Sequence, residues 1–175
     1  MQVYDWQLIT EKYGPRVWQI AYRLLGNHSD AADCFQETFL AALEVSRRQH
    51  VRNLSGMLAR LATTRAIDRL RQRGRQERHR AAAQEAPPGS ACDGNPADRA
   101  ETGELTGRLR QAIGELPSQE AKAFCLRYFS EMSYRQIAKE LDIKTSAVGV
   151  LLHRAKARLR ERLTAEERPL DEVTR

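Results

Sequence analysis

A chain of 175 residues, 41 % of them hydrophobic and 30 % charged, has room for one domain or two small ones with modest cores. No apolar run approaches the roughly 18 residues of a membrane span, and the N-terminal MQVYDWQLITEKYG lacks the basic-then-apolar layout of a signal peptide. The chain is therefore expected to be soluble and cytoplasmic, without membrane insertion.

The net charge of +6 conceals a block pattern. Residues 1–45 hold 3 basic and 6 acidic side chains, and residues 46–82 hold 11 and 2. Residues 83–107 hold 1 and 5, and residues 108–175 hold 14 and 10. An acidic region followed by one of +9 predicts two different partners on one domain. The basic face suits a polyanion, because each phosphate neutralised by Lys or Arg releases bound counterions. Cys34, Cys92 and Cys125 stand far apart with no CxxC pair, which argues against a disulfide scaffold or structural zinc.

Helical periodicity runs through most of the chain and strand-like alternation is nearly absent, so the expected class is all-α. A first helix spans about Asp5 to Leu25, with a break expected near Gly14-Pro15 and a core stripe of Val17, Ile20, Ala21 and Leu24. Ser29 or Asp30 is expected to cap a second helix running to about Arg48, with Phe35, Phe39, Ala42 and Leu43 on its core side. Asp33, Gln36, Glu37 and Leu40 make a separate stripe at i, i+3, i+4 and i+7. Taken alone, that stripe is either a solvated face or a protein contact.

Ser55 is expected to cap a third helix running to about Arg80. Leu58, Leu61, Ala62, Ala66 and Leu70 can face a core there, while Arg60, Arg65, Arg69, Arg71, Arg73 and Arg75 crowd the remainder. Guanidinium groups bind phosphate in a planar fork, which suits a nucleic-acid backbone. No aromatic residue occurs from Leu40 through Ala123, so single-stranded bases have no aromatic platform in this region.

Residues 81–103 change character. Pro87-Pro88-Gly89-Ser90 and Gly94-Asn95-Pro96 predict a flexible linker, its ends about 25–30 Å apart on average. Cys92 in it is the one plausible exposed thiol. Helix is expected to resume at about Glu104 and run to Glu115. Another starts at Pro117-Ser118 and carries Ala121, Phe124, Cys125, Tyr128 and Phe129.

Ser133 to Arg160, SYRQIAKELDIKTSAVGVLLHRAKARLR, is the most informative stretch. Ser133 and Gln136 form a capping-box pattern, and Ile137, Ala138 and Leu141 give a short helix an apolar stripe. After the break Asp142-Ile143-Lys144, Thr145 is placed to cap a second helix with a buried face of Val148, Leu151, Leu152, Ala155 and Leu159. His153, Arg154, Lys156, Arg158 and Arg160 fall largely outside that face. A short helix crossing an exposed basic one is the shape that enters a DNA major groove. Residues 166–175 are a polar tail.

The ordered set of YGPRVWQIAYRLLGNHSDAADCFQETFLAAL, MLARLATTRAIDRLRQR and LPSQEAKAFCLRYFSEMSYRQIAKELDIKTSAVGVLLHRAKARLR resembles the small bacterial RNA polymerase sigma factors of the extracytoplasmic-function type. The resemblance covers nearly the whole chain outside the linker and tail. It implies two small helical domains, residues 1–80 and 104–165, the second a helix-turn-helix, joined by the linker 81–103. It further implies core RNA polymerase and double-stranded and locally melted promoter DNA as partners, with an anti-sigma protein as a frequent inhibitor.

Position by position, the resemblance implies that Asp33, Gln36, Glu37 and Leu40 dock on the clamp coiled coil of the polymerase. Arg52 and Asn53, with Leu54, match the loop that captures an unpaired base of the minus-ten element, and Arg65, Arg69 and Arg71 match the surface beside it. Thr145, Ser146, His153, Arg154, Lys156 and Arg158 would serve the minus-thirty-five element. The chain departs from the family at Met57, where Trp is usual, at Thr64, where Asn is common, and at Gly149 and Val150, which replace polar or basic residues. Thr145, Ser146 and Arg154 thereby become the expected base readers.

Two rivals are weaker. A stand-alone helix-turn-helix regulator would normally dimerise on a two-fold operator, which fits poorly with a second basic region in the other domain. A nucleic-acid enzyme would need clustered metal ligands. Asp30, Asp33 and Glu37 are the nearest carboxylate cluster, and the four His are scattered. No catalytic residue, metal or cofactor is expected.

Overall fold

The computed structural model describes residues 4–82 and 98–165. The expectations for most of the linker, for Cys92 and for the tail lie outside them. The described residues form seven helices and no strand: α1 (Trp6–Leu25), α2 (His28–Arg48), α3 (Leu54–Ala82), α4 (Asp98–Glu115), α5 (Ser118–Tyr128), α6 (Tyr134–Leu141) and α7 (Thr145–Ala165). The first three pack as one unit and the last four as a second.

Asp5 caps α1, its carboxylate accepting from the N–H groups of Gln7 and Leu8 at 3.1 and 3.2 Å. The helix does not break at Gly14-Pro15 as expected. Pro15 lies on the solvent side, as does Glu11, whose carbonyl loses its helical partner, so water can satisfy that group. Gly14 is buried instead, and a Cβ there would lie 3.5 Å from the Phe35 ring. Gly26, at φ 75°, ends α1 in the left-handed region.

The cap of α2 is Asn27, not Ser29 or Asp30. Its side-chain carbonyl accepts from Asp30 N–H at 2.8 Å and its amide donates to the Asp30 carboxylate at 3.1 Å. Ser29 and Asp30 already lie in the first turn. The buried seam of α2 is also rotated from the expected one. Ala31, Cys34, Thr38, Ala41 and Ala42 are buried, whereas Phe35, Phe39 and Leu43 are half-buried. Small residues let α2 approach both α1 and α3, and the two rings fill the flank, where Phe35 meets Trp18 edge-on with centroids 6.2 Å apart.

Asn53, rather than Ser55, caps α3, accepting from Gly56 N–H at 3.0 Å. This helix is buried on more than the predicted face. Beside Leu58, Ala62, Ala66 and Leu70 it buries Gly56, Met57, Ala59, Thr63 and Ile67. Gly56 among them lies against Glu140 of α6, and α4, α5 and α6 all pack against α3. At the closest approach, a Cβ added to Gly114 of α4 would lie 3.2 Å from the Leu70 Cβ. Arg71 ties the same seam, donating to the carbonyls of Gly114 at 3.2 Å and Leu116 at 2.8 Å. The predicted linker is thus flanked by longer helices: α3 reaches Ala82 and α4 starts at Asp98 rather than Glu104. The helix-breaking composition ends at Pro96.

The capping box of α6 forms as predicted, with Ser133 Oγ accepting from Gln136 N–H and Gln136 Oε1 accepting from Ser133 N–H. Asp142 turns the chain at φ 53° and Ile143 N–H donates to Ala138 C=O at 2.9 Å. Helix α7 begins at Thr145 itself instead of after it, and buries Val148, Leu152, Ala155 and Leu159, while Leu151 of the predicted face is only half-buried.

Two outcomes are expected in urea unfolding. Leu58→Ala, at a side chain 1 % exposed, should destabilise the fold by about 2–5 kcal/mol. Asp142→Gly should stabilise it by up to about 1 kcal/mol, because glycine enters the left-handed region without a Cβ penalty.

Candidate nucleic-acid interface

Two surfaces that the sequence assigns to different partners lie side by side. On α2, Asp33, Gln36 and Leu40 are exposed, Leu40 by 60 %, and Glu37 is half-buried. Antiparallel to it runs the arginine row of α3. Arg65 meets Glu37 at 3.4 Å. Arg69 meets Glu37 at 2.7 Å, Asp33 at 3.5 Å and Asp30 at 3.6 Å. Arg73 pairs with Asp30 and donates to Leu25 C=O at 2.9 Å.

Arg69 is the hub of this row, with three carboxylates around one guanidinium. Its Nε is buried without a hydrogen-bond partner among the described residues, so the charge relies on the α2 acids. Arg65 has one carboxylate partner and keeps 37 % of its side chain exposed, which leaves it freer to reach a phosphate. Arg71 points away from both and ties α3 to α4, so the structure does not bring it together with Arg65 and Arg69. Neither Asp30 nor Arg73 was among the predicted site residues. Matched i, i+3, i+7 acids and i, i+4, i+8 arginines were a usable signal for an antiparallel zipper.

Cys34 lies beneath this row, its thiol donating to Ala62 C=O at 3.6 Å. Burial pushes it up to about 11, more than the hydrogen bond with Thr38 and the nearby Arg69 pull it down. The thiol therefore stays protonated and unreactive. Burial likewise raises the Cys125 thiol.

The loop before α3 is held in place. Val51 N–H donates to the Tyr4 hydroxyl at 3.2 Å, Arg52 is exposed, and Asn53 is half-buried. Besides capping α3, Asn53 donates from its amide to Glu140 of α6 at 2.9 Å. Arg60, one turn into α3, lies 3.7 Å from the other Glu140 oxygen. No local pattern marks Glu140, because it meets a residue 87 positions away.

On the helix-turn-helix, Thr145, Ser146, His153, Arg154, Lys156 and Arg158 are all exposed. Ser146, Val150, His153 and Arg154 share a stripe on the first turns of α7, and Val150 is 49 % exposed. Two of the basic residues already have partners. Arg158 meets Glu120 of α5 at 3.1 Å, and Lys156 sits 5.2 Å from the Tyr128 ring centroid. The face open to a groove is therefore the N-terminal half of α7. Gly149 lies beside it with room for a methyl group, 3.8 Å from the Tyr134 ring.

Comparison with known proteins follows the same division. The family described as Sigma-70 region 2 matches residues 9–76, which span α1 to α3, and that described as Sigma-70, region 4 matches residues 106–159, from α4 to α7. The chain is 31 % identical to the ECF RNA polymerase sigma factor SigE of Mycolicibacterium smegmatis over 91 % of its own length and 62 % of the relative's. It is 30 % identical to the ECF RNA polymerase sigma factor SigW of Bacillus subtilis, over 89 % of this chain and 87 % of that one. In fold it is similar to the sigma factor RpoE of Bartonella quintana, solved in complex with the anti-sigma factor NepR. The TM-score is 0.56 at 21 % identity, covering 93 % of this chain and 98 % of the other. With both sigma-70 regions in order and a relative matched over most of its length, the chain belongs to the ECF RNA polymerase sigma factors of the sigma-70 family.

Proposed function

We propose that this chain binds bacterial core RNA polymerase and directs it to promoters, where it helps to open the duplex. One observation carries the reading: the region 2 unit exposes a mixed acidic and apolar stripe, and the region 4 unit exposes a basic-edged helix start. One face fits a protein, the other a DNA groove. Asp33, Gln36 and Leu40 dock on the polymerase, with Glu37 held beside them by Arg65 and Arg69. Arg69 is thus a positioning residue for the docking stripe. Arg65, Arg52 and Asn53 serve the minus-ten element, and Arg71 joins them once its ties to α4 open.

Ser146 and Arg154 read the minus-thirty-five element, Val150 touches a thymine methyl, and Thr145 with the α7 N-terminus holds a phosphate. His153, Lys156 and Arg158 add phosphate affinity. The polymerase supplies all bond-making chemistry, so the chain is a cytoplasmic initiation factor and not an enzyme, with no cofactor. An anti-sigma protein is its natural inhibitor, in keeping with the RpoE complex. No described helix is long and apolar enough to cross a membrane.

Transcription by core polymerase with and without the chain, followed by mapping of start sites, tests this directly. New start sites sharing upstream elements are expected, and their absence would overturn the assignment. Leu40→Glu should weaken core binding by about tenfold or more, a loss of about 1.4 kcal/mol, with an unchanged melting curve. Normal binding by the folded variant would make the stripe plain solvated surface. Arg69→Ala should lose about 1–2 kcal/mol of stability, between the values for exposed and buried pairs, and should lose core binding as well. Arg154→Ala should reduce initiation at the mapped promoters severalfold while Gly149→Ala is tolerated, as read by run-off transcription.

A further inference from the structure

The seam between the two units engages Asn53 of the loop assigned above to base capture, while Arg52 stays exposed. Glu140, in the last turn of α6, reaches across the seam to the N-terminus of α3 with its side chain only 9 % exposed. One carboxylate oxygen accepts from the Asn53 amide at 2.9 Å and the other lies 3.7 Å from Arg60 Nε. Glycine at position 56 makes room for it, since a Cβ there would overlap both the carboxylate and the Asn53 amide. Arg16 braces the same edge, donating to Ser55 Oγ at 3.3 Å and to Ser130 C=O at 2.6 Å. Arg71 closes the far end of the seam on Gly114 and Leu116.

These polar contacts lie at the edges of a seam along which α4 and α5 also pack against α3. Burial raises the Glu140 carboxyl, opposed by Arg60 and the Asn53 hydrogen bond. The helix N-terminus adds a further favourable field for the carboxylate. Meanwhile the docking stripe of α2 stays uncovered. A closed chain would therefore present its polymerase face while Asn53 of its base-capture loop is engaged.

We propose that Glu140 is an intramolecular latch: its carboxylate occupies Asn53 and Arg60 in the closed chain and competes with single-stranded promoter DNA for them. This rests on the base-capture role given to the loop. Release of Glu140 frees the Asn53 amide and the Arg60 guanidinium together and loosens α6 on α3. Arg60 thereby becomes a DNA-facing residue that the resemblance did not assign.

Charge reversal tests the latch on the full chain. Glu140→Arg places a cation against Arg60, Glu140→Ala removes the carboxylate more gently, and the exchange Arg60→Glu with Glu140→Arg restores an ion pair. Small-angle X-ray scattering of the free protein reads closure, and circular dichroism confirms helix content. A fluorescent single strand carrying the mapped minus-ten sequence reads access to the loop. Both single variants should show a larger radius of gyration and bind the strand about tenfold more tightly, as expected if the closed form dominates by that factor. The exchange should return wild-type scattering.

Unchanged scattering in both folded single variants would overturn the latch. So would an expanded protein that binds the strand no better, since Glu140 would then be a packing contact and not a competitor. If the wild-type chain supports no initiation with core polymerase, the functional proposal fails while the scattering result still judges closure.

Discussion

Helix α3 is the constraint on which the rest depends. It is 29 residues long, and two of its faces are buried at once. Ala62 lies under α2, where its carbonyl takes the Cys34 thiol, and Leu58 and Ala66 share that face. Gly56 and Leu70 lie under the second unit, with Thr63 and Ile67 on the same stripe. Glycine and alanine at the closest approaches bring neighbouring backbones together, and the larger aliphatic side chains supply the apolar area. One rigid rod thereby sets the positions of the α2 stripe, the loop at its own N-terminus and the helix-turn-helix.

The charge on that rod is largely spent inside the molecule. Arg65, Arg69 and Arg73 are answered by Glu37, Asp33 and Asp30, and Arg71 by backbone carbonyls. A basic block read as a single phosphate-binding surface is thus divided by geometry into three parts. One part pairs with the acids of α2, one ties α3 to α4, and the rest stays exposed. Under the proposed assignment this division couples the two partners, because the residues that steady the docking stripe border those offered to DNA.

The helix-turn-helix shows the same economy. Arg158 and Lys156 brace α7 against α5, and its N-terminal turns are left exposed. Under the proposed assignment Val150 and Gly149 would shift the reading there toward shape and methyl contacts and away from hydrogen bonds to base edges.

Much of this was legible in the chain of residues. Class, the order of helices, the capping box at Ser133 and Gln136, the buried stripe of α7 and the family all follow from local periodicity, which depends on neighbours three and four positions apart. Tertiary structure alone decided the rest. The cap at Asn27 displaced Ser29 and Asp30 because an amide can both accept from and donate to Asp30. The seam of α2 chose Ala31, Cys34 and Thr38 over the phenylalanines because two helices press on it at once. The pairing of Arg69 with three acids, the use of Arg71 as an interdomain tie and the reach of Glu140 to Asn53 join residues far apart in sequence. No periodicity records such contacts. They exist only once two helical units have closed on the opposite sides of α3.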